Sequence, residues 1–313
     1  MKLIALFSVF FVGSALTTPP SKSLPEISST LFKMSRPSNL PQAGIATLVG
    51  AAAAHTFNIN DIITPDFIIS TTIAAGICAN SMIVNDYFDA KLGNDAYDYR
   101  NLIVSGDISS DVVKKYLSFS YATIFLSSFT LKTPELTAIA LFASFITIIY
   151  TPILKNILFV KNLSVGTIVA LTPVLGAIAT SDNFYDAFNN PDSRLTNLFL
   201  ATFAGSVHQE LIMDISDTVS DKQNNITTVP VKFGKEKTTL FNALMLYIMS
   251  FSACNSENPT AVYSALVPSI LMFYDTSILK KCIGTEDESD KSIIALDHIK
   301  YASTIIFLSF IIH

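Results

Sequence analysis

The hydrophobic positions of this 313-residue chain fall into long unbroken runs rather than alternating stripes. Beyond an N-terminal leader, apolar stretches cover Leu40 to Phe57, Ile62 to Val84, Val112 to Leu131, Pro134 to Pro152, Leu163 to Ala179, Leu195 to Met213, Thr238 to Cys254, Thr260 to Leu279 and Ile299 to Ile312. Most approach the ~20 residues that a helix needs to cross a bilayer, and the last is short for a full span. Barrel strands would alternate lipid-facing and lumen-facing residues, and these runs do not. The pattern therefore predicts an all-α, multi-pass transmembrane bundle of about nine helices.

Composition agrees: the chain is 50% hydrophobic and 14% charged, with a mean hydropathy of +0.48. The net charge of −5 says little by itself, but the placement of charge is informative. If each stretch crosses once, the connections fall on two faces by parity. One face receives the post-leader segment and the connections around residues 86–112, 152–162, 214–237 and 280–300. Of the 20 Lys and Arg, Lys2 belongs to the leader and Lys132 and Arg194 fall on the opposite face, leaving 17 on the first. That bias makes the first face the cytosolic or stromal one.

The leader has two parts. Met1 and Lys2 precede the apolar run Leu3 to Val12, and Gly13, Ser14 and Ala15 then supply small residues for cleavage, so residues 1–15 read as a signal peptide. Residues 16–36 are rich in Ser, Thr and Pro with Glu26 as the sole acid, a transit-like composition that together with the signal resembles a bipartite plastid address. A signal anchor followed by a disordered linker is the competing reading. Residues 37–313 form the membrane domain, and a plastid membrane is the expected location.

Chemistry gathers on the first face, where two polar connections begin with aspartates at the end of an apolar stretch. In the first, Asn85, Asp86 and Asp89 set two carboxylates three residues apart, on one side of a helix. In the second, Asp214, Asp217 and Asp221 are spaced three and then four apart, along one helical stripe. Stacked carboxylates beside a membrane repel one another and require positive charge. A hard divalent cation such as Mg²⁺ suits carboxylate and amide oxygens and is commonly completed by phosphate. Two such clusters would hold a diphosphate between them. Lys155 and Lys161 on the same face are candidates for neutralising phosphate, with the Tyr150 hydroxyl available to bond it or to face a cationic intermediate. Arg100, Lys222 and Lys91 are further cations there. Cys78, Cys254 and Cys282 are an odd set without metal-type spacing and read as structural. His55, His208, His298 and His313 are scattered, without ligand spacing. Nucleic-acid binding has no support, since there is neither a basic domain nor a reader motif.

Taken together, these residues resemble the UbiA superfamily of intramembrane prenyltransferases over roughly residues 34 to 310. Ser35-Arg36-Pro37-Ser38-Asn39-Leu40-Pro41 is similar to the family's entry to its first helix, and Asn85-Asp86-Tyr87-Phe88-Asp89 to its first aspartate motif. Tyr150 to Lys155 resembles the central tyrosine–lysine motif. Asp214 to Asp221, with Lys222 and Thr228-Val229-Pro230-Val231, resembles the second aspartate motif and its downstream strand of small residues. The resemblance implies nine helices around a central cavity open laterally to lipidic substrates. It further implies that Asn85, Asp86, Asp89, Asp214, Asp217 and Asp221 hold Mg²⁺, and through it a prenyl diphosphate whose prenyl group passes to a hydrophobic or aromatic acceptor drawn from the membrane lipid. Gly93 stands where many members carry a further aspartate, and Asp95 two residues later resembles the naphthoate-using branch, which adds Asp95 to the metal candidates. Ser105-Gly106-Asp107-Ile108-Ser109 instead resembles the homogentisate, chlorophyll and glycerol-lipid branches, with Asn101-Leu102 in place of their Arg-Pro. Gln209 stands where several relatives have arginine. A quinone, tocopherol or chlorophyll-type acceptor is thus the expectation. The alternative from a different class is a transporter or divalent-ion carrier, which would place its acids near the midplane of broken helices.

Overall fold

The computed structural model describes residues 23–54, 62–93, 100–181, 184–189 and 194–311. They form helices α1 (Leu24–Met34), α2 (Leu40–Ala54), α3 (Pro65–Leu92), α4 (Ser110–Ser128), α5 (Pro134–Tyr150), α6 (Val160–Thr180), α7 (Phe184–Asn189), α8 (Leu195–Ser216), α9 (Thr218–Gln223), α10 (Val229–Phe233), α11 (Lys235–Cys254), α12 (Pro259–Cys282) and α13 (Glu288–Leu308). Among the described residues, nine of these (α2 to α6, α8 and α11 to α13) have 15 residues or more, in keeping with the nine apolar stretches. By length and composition α3, α6 and α12 can each cross a membrane, and α5 is a shorter apolar helix.

Helix starts are written in the sequence as a polar cap followed by proline. Thr64, Thr133 and Asn258 each accept a backbone N–H of the first turn, at 3.1, 3.4 and 2.9 Å, and Pro65, Pro134 and Pro259 follow them. Proline there sacrifices no helical hydrogen bond, and its fixed φ suits the first turn. Helix α3 ends at Gly93, whose φ of 81° closes the helix in the left-handed region.

The core is built around two long helices. Helix α6 packs on α2, α3, α5 and α8, and α8 packs on α2, α6, α11 and α13. The α2–α6 crossing is backbone against backbone. A Cβ on Gly50 would lie 1.9 Å from the Pro173 carbonyl oxygen, and one on Gly176 would lie 2.0 Å from that of Thr47. In lipid, where apolar side chains gain nothing by leaving an apolar solvent, close approach through small residues is the main source of helix association.

Three differences from the sequence reading have physical causes. Residues 24–36, assigned by composition to the leader, contain α1, whose Ile27 and Leu31 pack on the cluster of Ile83, Val84, Tyr87 and Phe88. Its apolar residues are spaced for one face, while its Ser and Thr content suggested disorder. The final helix begins at Glu288, well before the apolar run from Ile299. Its polar first half hid it, and His298 in that half bonds Asp275 of α12 at 2.8 Å. The stretch Thr228–Val231 is no strand but the start of the short helix α10, with Pro230 in its first turn.

Lys132 and Arg194, the cations on the far face, tie helix ends together. Lys132 Nζ donates to the Ser181 carbonyl at 2.7 Å, and Arg194 donates to the carbonyls of Ser309 and Ala253 at 3.0 and 3.2 Å. Helix C-termini leave such carbonyls unsatisfied and favour cations.

The α2–α6 contact yields a first test. Gly176→Ala should lower the thermal unfolding temperature in detergent, by a destabilisation of about 1–3 kcal/mol for overpacking. Gly44→Ala on α2, whose Cβ would meet only Thr71 Cγ2 at 3.9 Å, should leave it unchanged.

Candidate functional site

Helices α3 and α8 both end on the face that carries most of the positive charge, and both aspartate clusters sit in those ends. A helix C-terminus is already electronegative from its unpaired carbonyls. Adding carboxylates there makes two sites with a strong demand for cations, and basic residues from other parts of the chain meet it.

On α3, Arg36 Nη2 donates to Asp86 at 3.2 Å and Lys155 Nζ donates to both oxygens of Asp89 at 2.9 and 2.8 Å. Thr151 donates to the side-chain oxygen of Asn85 at 3.1 Å, and Asn101 to the Asp86 carbonyl at 2.8 Å. On α8, Asp214 is fully buried; it is ion-paired with Lys161 and accepts a bond from Asn162 Nδ2 at 2.9 Å. Asp221, on α9, accepts from the Thr228 hydroxyl at 3.0 Å. Burial pushes the Asp217 and Asp221 carboxyls above their ordinary value, and the nearby Lys161 ammonium opposes it.

One connection supplies Lys155 and leads into the first turn of α6, which supplies Lys161. It leaves α5 at Tyr150 and enters α6 through Phe159, whose φ of 65° is a left-handed conformation that a bulky side chain rarely adopts. Stacking on Phe233 and an edge contact with Phe241, each at 6.0 Å between ring centres, hold Phe159 there. The chain can then turn so that Lys155 reaches α3 while Lys161 reaches α8. Tyr150, at the end of α5, is within electrostatic reach of Glu210 and Asp214 of α8, Asp89 of α3 and Asp221 of α9.

The structure thus brings together Asn85, Asp86, Asp89, Tyr150, Lys155, Lys161, Asp214, Asp217 and Asp221. Arg100 is exposed at the mouth, and its charge reaches Asp217. Lys222 is exposed on a surface depression with Thr218, Phe233 and Lys235. Asp95 lies outside the described residues. Sequence reasoning did not find Thr151, Asn162, the pairing of Arg36 with Asp86, or Glu210, which stands one turn before Asp214 on α8. For Glu210 a signal existed, since an acid inside an apolar helix is a functional candidate by default.

Among the described residues no three His, Cys, Asp or Glu side chains converge into a closed metal cage. The donor set is nevertheless of the kind Mg²⁺ uses, hard carboxylate and amide oxygens, with water and phosphate commonly completing the shell.

The fold and site define a membrane-embedded, all-helical bundle with two carboxylate clusters on one face. Residues 43–291 match the model of the UbiA prenyltransferase family, and the chain belongs to that family: it is an integral membrane prenyltransferase. It is similar to digeranylgeranylglyceryl phosphate synthase of Methanothrix thermoacetophila, at 27% identity over 70% of this chain and 77% of that one. The enzyme of the same name from Pyrococcus furiosus is 25% identical over 90% and 95% of the two chains. Among solved structures, one concerning digeranylgeranylglyceryl phosphate synthase in membranes has a TM-score of 0.66 at 19% identity, over 92% of this chain and 98% of that one. A UbiA homologue from Archaeoglobus fulgidus bound to GPP and Mg²⁺ has a TM-score of 0.55 at 19% identity, over 88% and 99%. At such identities the solved structures establish the fold. These relatives are archaeal and lend no support to a plastid location.

The buried pair on α8 gives a direct test. Lys161→Met strands the Asp214 carboxylate, and loss of one partner of a buried ion pair costs about 3–5 kcal/mol. Thermal unfolding in detergent should show a marked drop, and Lys161→Met with Asp214→Asn should recover much of it.

Proposed function

We propose that this protein transfers a prenyl group from a prenyl diphosphate to a hydroxyl-bearing lipid acceptor in an Mg²⁺-dependent reaction. The observation that carries the reading is the meeting of two carboxylate clusters from distant parts of the chain around Tyr150, with Lys155 and Lys161 bridging to them. Names of the relatives support a glyceryl phosphate acceptor, and Ser105 to Ser109 is compatible with it. A quinone, tocopherol or chlorophyll-type acceptor is the second reading, favoured by the plastid-like composition of the leader and by the likeness of Asp95 and of Ser105 to Ser109 to branches that use such acceptors.

Asn85, Asp86 and Asp89 on one side and Asp214, Asp217 and Asp221 on the other would hold Mg²⁺. When bound, the metal supplies Lewis acidity that neutralises the charge developing on the leaving diphosphate. Lys155 and Lys161 neutralise aspartates in the resting protein, and with diphosphate present they turn to its oxygens. Arg36 and Arg100 complete the positive rim. Tyr150, within electrostatic reach of both clusters, faces the allylic carbon and hydrogen-bonds the departing oxygen or shields the cationic centre. The apolar bundle beneath receives the isoprenoid tail and keeps water from the electrophile.

Purified protein given geranylgeranyl diphosphate with a panel of glyceryl-lipid, homogentisate, naphthoate and chlorophyllide acceptors should yield one prenylated product with Mg²⁺ and none with EDTA. Asp86→Ala and Asp217→Ala should each lower turnover at least ~100-fold, as loss of electrostatic stabilisation does. Full activity in both variants would overturn the metal assignment.

A further inference from the structure

Glu210 takes no part in the account so far. It lies on α8 four residues before Asp214, so it shares a helical stripe with Asp214, Asp217 and Asp221 and stands about 6 Å deeper in the bundle at 1.5 Å per residue. Unlike Asp89, Asp214 and Asp221, its carboxylate makes no hydrogen bond or ion pair among the described residues. It is only partly buried and is not among the sealed, unpartnered polar atoms of the core. The charges acting on it come from Lys161 of α6, Lys155 of the α5–α6 connection, and Asp214 and Asp217 of α8, while Tyr150 of α5 senses it in turn.

Depth is the decisive feature. A diphosphate held at the level of Asp89, Asp214 and Asp217 projects its allylic carbon toward the membrane, because the prenyl tail can go nowhere else. The first carbon beyond the phosphate then lies about one helical turn below the metal-binding aspartates, at the level of Glu210. An acceptor attacking that carbon presents its nucleophilic group there. The other nearby groups are poorly suited as bases: with the diphosphate present both lysines are turned to its oxygens, and a tyrosine hydroxyl is neutral at ordinary pH.

We infer that Glu210 is the catalytic base that removes the acceptor's proton. The inference rests on the proposed prenyl transfer. The allylic C–O bond breaks with its electron pair leaving on the diphosphate. A lone pair of the acceptor hydroxyl forms the new C–O bond, and the hydroxyl proton passes to the Glu210 carboxylate and then to solvent. Were the acceptor an aromatic ring, the same carboxylate would take the ring proton after C–C bond formation. Glu210 is thus set apart from the aspartates by what it serves, the acceptor rather than the metal-bound diphosphate.

The test compares wild type, Glu210→Gln and Glu210→Asp, each purified in detergent. The readouts are kcat and KM for the prenyl diphosphate with the best acceptor, and equilibrium binding of Mg²⁺ with a non-hydrolysable prenyl diphosphate analogue. General-base removal typically costs 10²- to 10⁴-fold. The expected result is a kcat for Glu210→Gln lowered about 100-fold or more with KM and analogue binding within twofold of wild type, and partial recovery in Glu210→Asp. A Glu210→Gln kcat within threefold of wild type would overturn the inference. So would parallel loss of analogue binding, which would move Glu210 to the metal site, or failure of both variants to fold, which would make its role structural. Absence of product from the wild type with every acceptor would instead refute the prenyl-transfer reading itself.

Discussion

The arrangement depends on neutralising carboxylates that sit where carboxylates are least welcome. Asp214 is fully buried at the end of a membrane helix, and Asp89 is nearly so. A charge removed from water costs several kcal/mol even after relaxation, and the negative end of each helix adds to the penalty. Lys161 and Lys155 meet that demand, and because they are six residues apart, one in the first turn of α6 and one in the connection before it, α3 and α8 are both tied to one short stretch of chain. A structural economy of this kind would be of little use for stability alone, since well-packed apolar residues could replace a buried pair. In the proposed reaction its value lies in being exchangeable. A lysine that is held by an aspartate can turn to a phosphate, and an aspartate released by its lysine can take a metal.

Much of the fold was legible from residue order. Unbroken apolar runs gave nine helices, and the Thr-Pro and Asn-Pro pairs marked where three of them start. What escaped was structure that mixes polarity. Helix α1 carries too much serine and threonine to stand out, and the first half of α13 hides its helical character behind Asp290, Lys291, Asp297 and His298. In both cases tertiary packing decided what local composition left ambiguous.

The candidate site was legible to a different degree. The aspartates announced themselves by spacing, and the lysines by their position on the same face. Which lysine meets which aspartate depends on the path of the connection through Phe159, a non-glycine residue at positive φ that no periodicity foretells. Asn162 and Thr151 contribute single hydrogen bonds beside more conspicuous neighbours, so their roles emerge only from contacts. Glu210 stands one turn away from the aspartate motif and does not share its residue type, so the motif does not point to it.

The central claim is that Lys155 and Lys161 hold places which a metal and a diphosphate later take. The most direct measurement is an experimental structure with Mg²⁺ and a non-hydrolysable prenyl diphosphate analogue. The account predicts that both ammonium groups will have left Asp89 and Asp214 for phosphate oxygens, with the aspartates on metal. Lysines still paired with their aspartates, and the diphosphate bound elsewhere, would contradict it.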